Sequence, residues 1–362
     1  MALAVIASVL LLAFANGAND NFKGVATLWS SGRYRYATVL AWATATTFLG
    51  AAFGGVVAGG LVRVFDGSAF LGPGVKLDPA FLAAAALGAA VAVLLATRLG
   101  LPISTTHALA GSLVGCGLWA FGNAALNWPA LAAVIVLPLL FSPLVAMGLT
   151  FLSSPPLAGW LRNRSCVCMT EPAPQMIQLG AAAAASPGLF PALRVAHRAD
   201  CNRGDELARW NTEEIMHWSS AGLISFSRGL NDSPKIAALA LAVGALAPAA
   251  NYFLVASMMA LGGLVAARSV ARTISRRVTR IEPVPGLSAN LAGALLVGVA
   301  SRFGMPVSTT HVTLGGIFGV GLRHCDRTNW TLVRQIAMAW LVTLPLGMLA
   351  GLACYLVLGS FS

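Results

Sequence analysis

Two short stretches place an acid, an amide and a base inside otherwise apolar sequence. The first is Gly17-Ala18-Asn19-Asp20-Asn21-Phe22-Lys23, and the second, 212 positions on, is Gly229-Leu230-Asn231-Asp232-Ser233-Pro234-Lys235. Of the chain's 12 acids, only Asp20 and Asp232 sit within apolar runs. A carboxylate at membrane depth costs at least ~2.5 kcal/mol, so each needs a partner or a function. Two of only three lysines, Lys23 and Lys235, follow these aspartates by three residues, a spacing that puts acid and base on one helix face. Two chemistries fit: a structural ion pair joining two helix pieces, or a cation-coupling site. Gly, Asn and Pro234 all interrupt helices, and unwound backbone at membrane depth is tolerated where it lines a watery cavity. Exposed carbonyls, Asn19, Asn231 and the two carboxylates would then supply the oxygen ligands that hard cations prefer.

A second pair of motifs carries different chemistry. Gly100-Leu101-Pro102-Ile103-Ser104-Thr105-Thr106-His107 is echoed 204 positions later by Gly304-Met305-Pro306-Val307-Ser308-Thr309-Thr310-His311. Gly and Pro stop one helix and Ser or Thr caps the next. The freed N–H groups, the hydroxyls and the positive end of the helix dipole make an anion site. Ser104, Thr105, Thr106, Ser308, Thr309 and Thr310 are the candidate oxyanion ligands, with ordinary capping and interhelical hydrogen bonding as the competing reading. His107 and His311 are candidates for a proton relay or for hydrogen-bonded packing.

These residues need elements to hold them. The chain has 362 residues, is 57% hydrophobic and only 10% charged, against roughly 25% charged in soluble domains, which excludes a soluble globular protein. Charge-free runs at 1–19, 36–62, 79–97, 99–161, 236–267, 283–301, 303–322 and 335–362 reach the ~18 residues that cross a bilayer. Residues 1–15 carry a small-x-small pattern at Ala13-Phe14-Ala15, but no base precedes the apolar run, so they read as a membrane segment and not as a cleaved leader. The expected segments are 1–30 (broken at the Asn-Asp motif), 36–62, 80–98, 106–122 and 127–152, then 212–248 (broken), 252–267, 286–302, 310–322 and 331–358. Those near the Ser-Thr-Thr-His motifs are candidates for re-entrant hairpins. Five segments per half is an odd number, so the second half enters the membrane in the opposite sense, an inverted repeat.

The charges agree. With loop 31–35 cytoplasmic, 17 basic residues fall on the cytoplasmic side and three (Arg63, Lys76, Arg302) outside, as positive-inside bias requires. The net charge of +11 is thus a topology signal and not a nucleic-acid footprint. The domains expected are a first membrane repeat at 1–152, a polar cytoplasmic insert at 153–211 and a second repeat at 212–362, with both termini outside. In the insert, Cys166, Cys168, His197 and Cys201 could ligate zinc, although their spacing matches no standard finger and a cytoplasmic loop keeps thiols reduced. Arg268, Arg272, Arg276 and Arg280, every four residues, read as anchoring or headgroup contact. No catalytic elbow is present, and an enzyme reading has no use for duplicated motifs.

The paired Gly-Ala-Asn-Asp and Gly-x-Pro-x-Ser-Thr-Thr-His motifs in two halves resemble the PiT family of inorganic phosphate transporters. The resemblance implies an all-α integral membrane protein of about ten segments with broken helices. It implies phosphate symport into the cell across the plasma membrane, driven by sodium or protons without a resident cofactor, as a lipid-embedded homodimer. Carried over by position, Asn19, Asp20, Asn231 and Asp232 would couple the cation, and the Ser-Thr-Thr stretches would hold phosphate. The family motif usually continues to an Asn three residues after Asp, where this chain has Lys23 and Lys235. A lysine ammonium can stand where a monovalent cation binds, so coupling would use protons, or one sodium site is replaced by a tethered charge. The competing idea places both lysines on the anion. A permease for sulfate or a related oxyanion and a passive anion channel are the alternative functions.

Overall fold

The computed structural model describes residues 1–66, 71, 77–162, 164–170, 175–179, 182–186, 192–197 and 206–360. Helix α1 (Ala2–Asp20) ends on the first Asn-Asp motif, a 3-10 turn spans Lys23–Val25, and α2 (Ala26–Ser30) follows. Then come α3 (Tyr36–Val57), α4 (Gly60–Phe65), α5 (Pro79–Arg98), α6 (Thr105–Phe121), α7 (Trp128–Leu131) and, past a π-helical turn, α8 (Leu137–Arg162). The second half holds α9 (Thr212–Val243), α10 (Pro248–Ala266), α11 (Arg268–Arg272), α12 (Pro283–Arg302), α13 (Thr309–Arg323) and α14 (Trp330–Gly359). Helices stand at all ten expected places. Seven stretches are long and apolar enough to cross a membrane: Ala2–Ser30, α3, α5, α8, α10, α12 and α14. Helices α6 and α13 are short, at 17 and 15 residues, and α9 carries the buried charges. Large apolar side chains such as Phe141, Leu144, Leu341 and Leu349 face outward from α8 and α14, as lipid-facing helices do.

Several expectations need correction. The second motif does not break its helix: α9 runs unbroken for 32 residues through Pro234, so only the first motif unwinds, and by a single 3-10 turn. The all-α expectation fails in the insert, where β1 (Cys166–Thr170) pairs antiparallel with both β4 (Ala192–Ala196) and β5 (Glu206–Asn211), and β2 (Gln175–Leu179) pairs with β3 (Ala182–Ser186). Helix α8 continues past 152 through Pro155 and Pro156 to Arg162. Pro155 donates no N–H to the Phe151 carbonyl, four residues back, and Arg323 from α13 satisfies that oxygen instead, its Nε donating at 2.8 Å.

The packing of the two halves comes in matched pairs. A Cβ on Gly17 of α1 would land on the Met259 carbonyl of α10, and one on Gly229 of α9 would land on the Thr47 carbonyl of α3. Gly17 and Gly229 are 212 positions apart, and so are Thr47 and Met259. In the same way Gly111 of α6 meets Leu344 of α14, and Gly315 of α13 meets Pro143 of α8. Small residues at these crossings let the backbones touch, the usual means of helix association in lipid. Helices α5 and α6 form a hairpin, as do α12 and α13. Gly100 (φ +70°) and Gly304 (φ +65°) turn each tip in the left-handed region. Bonds from Leu101 N–H to Ala96 O (2.9 Å) and from Met305 N–H to Ala300 O (2.8 Å) close the preceding helices in the Schellman manner. Ser104 and Ser308 then cap the returning helices, accepting from His107 N–H and His311 N–H, each at 3.2 Å. Isolated bridges between Leu71 and Leu126 and between Thr279 and Thr328 clip the open ends of the two hairpins.

Candidate functional site

Both hairpin tips meet the two Asp-Lys pairs at one buried point. Lys23 Nζ donates to Asn19 Oδ1 (2.8 Å), to the Ile103 carbonyl (2.9 Å) and to Thr310 Oγ1 (2.6 Å), and it pairs with Asp20. Lys235 Nζ donates to the Val307 carbonyl (2.7 Å) and Thr106 Oγ1 (2.9 Å), and lies 3.5 Å from Asp232 Oδ1. The pattern crosses over. Each lysine takes the carbonyl that precedes the serine of its own half and the last threonine hydroxyl of the other half. The lysines are 0% and 3% exposed, so each ammonium has exchanged its water shell for a cage of protein oxygens, as a desolvated cation must.

The remaining site residues fill in this frame. Thr309 Oγ1 donates to Asp232 Oδ2 at 3.2 Å, and Thr105 Oγ1 lies 3.5 Å from Asp20 Oδ2. Thr310 Oγ1 also donates to the Ile103 carbonyl at 2.8 Å, tying one hairpin tip to the other. Asn19 is held by Thr97 Oγ1 (2.9 Å) and the Leu101 carbonyl (3.1 Å), to both of which its amide donates. Asn231 is buried, yet neither of its side-chain atoms finds a partner among the described residues. All of the hydroxyls proposed for an anion are therefore at the site, but Ser104 and Ser308 are occupied as caps and Thr106 and Thr310 as lysine acceptors. The space lined by Asn16, Thr105, Thr106, Leu109, Asp232, Lys235 and Ile236 has room for about one water molecule. That space is too small for an oxyanion while the lysine-to-threonine bonds across the halves are made.

Two residues that sequence reasoning passed over lie at the centre. Asn16 Nδ2 sits 3.1 Å from Asp20 Oδ2, 3.1 Å from Thr105 Oγ1 and 3.3 Å from Asp232 Oδ2, joining both aspartates. Arg228 is fully buried. Each stands four residues before its aspartate, one helical turn away on the same face, a spacing the sequence displays.

His107 and His311 lie against each other with ring centroids 4.6 Å apart and planes tilted by 46°. His311 Nδ1 donates to the Leu139 carbonyl at 3.1 Å, an oxygen that Pro143, four residues on, leaves without a helical partner. That bond places a proton on Nδ1. His311 Nε2 and His107 Nδ1 meet no partner among the described residues. Trp340 covers His311 at 4.0 Å and donates from Nε1 to the Pro102 carbonyl at 3.2 Å.

Outside the centre, the structure bears on one of the four zinc candidates. Cys168 is disulfide-bonded, which removes it as a thiolate ligand and corrects the expectation of a reduced loop; Cys201 lies outside the described residues. No group of three or more His, Cys, Asp or Glu side chains able to hold a metal occurs among the described residues. The arginines at 268–280 do not share one regular helix, because α11 gives way to a π-helical turn at Thr273–Arg277. Arg276 stacks on Trp29 at 4.1 Å and Arg268 lies over Tyr36 at 5.7 Å. In loop 31–35, Tyr34 donates to Glu214 at 2.7 Å, and partial burial together with that bond pushes its hydroxyl up to about 12.

Apolar spanning helices wrapped around a centre of buried charges define a multi-pass membrane protein. Residues 16–351 match the phosphate transporter family, and the chain belongs to that family. It is 27% identical over 98% of its length to a probable low-affinity inorganic phosphate transporter of Bacillus subtilis, covering 96% of that protein. It is 28% identical over 93% of its length to a putative phosphate permease of Pyrococcus abyssi, covering 92% of that protein. A solved structure titled "The sodium-dependent phosphate transporter" shares the fold, with a TM-score of 0.75, 21% identity, and coverage of 100% of this chain and 99% of that one.

Proposed function

We propose that the protein is a symporter that carries inorganic phosphate into the cell across the plasma membrane. The observation that carries this reading is the crossed pair of lysine bridges, Lys23 to Thr310 and Lys235 to Thr106. They tie each half's cation to the other half's anion-binding turn, so anion and cation occupancy are coupled by geometry. Ten membrane segments in two inverted repeats fit the matched glycine crossings and hairpins, with the α5–α6 and α12–α13 hairpins entering from opposite faces as re-entrant elements. The termini then face outward and the 153–211 insert faces the cytoplasm. Phosphate sits between the two Ser-Thr-Thr turns, Asp20 and Asp232 serve coupling, and the protein works as a transporter and not an enzyme, in a homodimer.

Each lysine holds the place of a coupling cation. The cage around Lys23 contains a carboxylate, an amide oxygen, a backbone carbonyl and a hydroxyl, the ligand set a hard monovalent cation would choose. A tethered ammonium there leaves protons as the driving ion. Uptake of labelled phosphate into proteoliposomes, with and without excess sulfate, tests the reading. Accumulation above the outside concentration that sulfate fails to block is expected. Equilibration without accumulation would mean a channel, and sulfate uptake in preference to phosphate would name a different permease.

A further inference from the structure

The two halves differ in one charge. Between 16–23 and 228–235 every ionisable position matches except the first, where Asn16 corresponds to Arg228. Arg228 is 0% exposed, and Nε, Nη1 and Nη2 all lack hydrogen-bond partners among the described residues. Its charge acts on both Asp20 and Asp232, but each aspartate is already paired with its own lysine. Asn231, three residues on and on the same helix face, is buried with both side-chain atoms unpartnered, whereas its first-half counterpart Asn19 is fully bonded. Five polar atoms thus lie unpaired on one stretch of α9, four of them nitrogens that donate. A buried guanidinium with no hydrogen-bonded counter-charge of its own is unfavourable, and its planar fork matches a tetrahedral oxyanion's oxygens two at a time.

We propose that Arg228 is the anchor of the transported oxyanion, gripping two of its oxygens while the Asn231 amide donates to a third, so that a single negative charge neutralises the buried centre. The centre holds Lys23, Lys235 and Arg228 against Asp20 and Asp232, a surplus of one positive charge that a monoanion balances. The asymmetry puts the guanidinium contact to the anion on α9, in the second half, with no counterpart at Asn16 in the first. This inference rests on the reading of the chain as an oxyanion transporter, but not on which oxyanion it carries.

The test is the melting temperature of the purified full-length protein in detergent, with and without inorganic phosphate or sulfate, for wild type, Arg228→Met and Arg228→Lys. Removing an uncompensated buried charge relieves a cost, so Arg228→Met is expected to melt higher than wild type without anion and to lose the anion-induced rise. Arg228→Lys keeps the charge but loses the fork, and its half-saturating phosphate concentration in uptake is expected to rise about tenfold or more. An Arg228→Met protein that melts lower than wild type yet keeps its anion-induced rise would make Arg228 a structural residue and overturn the proposal. If Arg228→Met does not fold, Arg228→Lys with unchanged half-saturation overturns it equally. A wild type that responds to sulfate alone, through Arg228, would overturn the phosphate reading and leave the anchor standing.

Discussion

Replacing Lys23 with asparagine tests the cage directly. Lys23 contributes one charge and makes four contacts, to Asn19, Asp20, Ile103 and Thr310. Its loss leaves Asp20, 1% exposed, with hydrogen-bond contacts to Asn16 and Thr105 and no directly paired cation, although the charge of Arg228 still acts on it. Breaking a buried pair by removing one partner costs about 3–5 kcal/mol, so in sodium-free buffer Lys23→Asn is expected to melt well below wild type. The amide oxygen of the new asparagine, together with Asp20, Asn19, the Ile103 carbonyl and Thr310, completes an oxygen cage for a free cation. A cation that binds only the folded state recovers about 2.7 kcal/mol at a hundred times its Kd, more than half of a mid-range loss. The assay is thermal melting of the detergent-solubilised protein across a sodium chloride series, with choline chloride holding ionic strength constant. Wild type is expected to melt at one temperature throughout, and Lys23→Asn to climb with sodium alone. An Lys23→Asn protein that melts identically in sodium and choline would refute the idea that the ammonium stands in for a cation.

Four further outcomes follow from the geometry. Thr310→Val and Thr106→Val each strip one acceptor from a buried lysine, at about 1–3 kcal/mol, and are expected to lower both melting temperature and phosphate uptake, the double variant most. His311→Ala strands the Leu139 carbonyl and is expected to lose about 1–3 kcal/mol of stability, while His107→Ala, whose Nδ1 bonds nothing among the described residues, loses less; equal melting temperatures for the two would contradict this. Gly17→Ala and Gly229→Ala drive a methyl into carbonyls at equivalent crossings and are expected to cost similar amounts, about 1–3 kcal/mol, by the same melting assay. Tyr34 is held protonated beyond its ordinary range, so its contribution is intact below about 10 and is lost as pH rises towards about 12. Tyr34→Phe is expected to shrink that alkaline loss, read from melting temperatures measured across the range.

The sequence disclosed most of the segments because hydropathy and charge bias are summed over many residues. The hairpin tips were legible as well, since a Gly and Pro that stop one helix followed by a Ser that caps the next mark a turn between two helices. The insert's strands were not, because short Ala-rich stretches such as Ala182–Ser186 carry no alternation to read. The break expected at Pro234 failed for a physical reason: a proline forfeits one bond and clashes with one carbonyl, and the packing of α9 against α3, α12 and α10 outweighs that local penalty. Asn16 and Arg228 escaped notice because each lies one turn upstream of its motif, where only the repeat offset marks it. The crossing of each lysine to the opposite half's threonine is a tertiary fact that no local pattern encodes.

Proton-driven phosphate symport with tethered lysine cations is tested most directly by uptake of labelled phosphate into proteoliposomes under two separately imposed gradients. An inward proton gradient without sodium is predicted to drive accumulation, and an inward sodium gradient without a proton gradient to drive none. Accumulation only under the sodium gradient would contradict the cation role of Lys23 and Lys235 and place both on the anion.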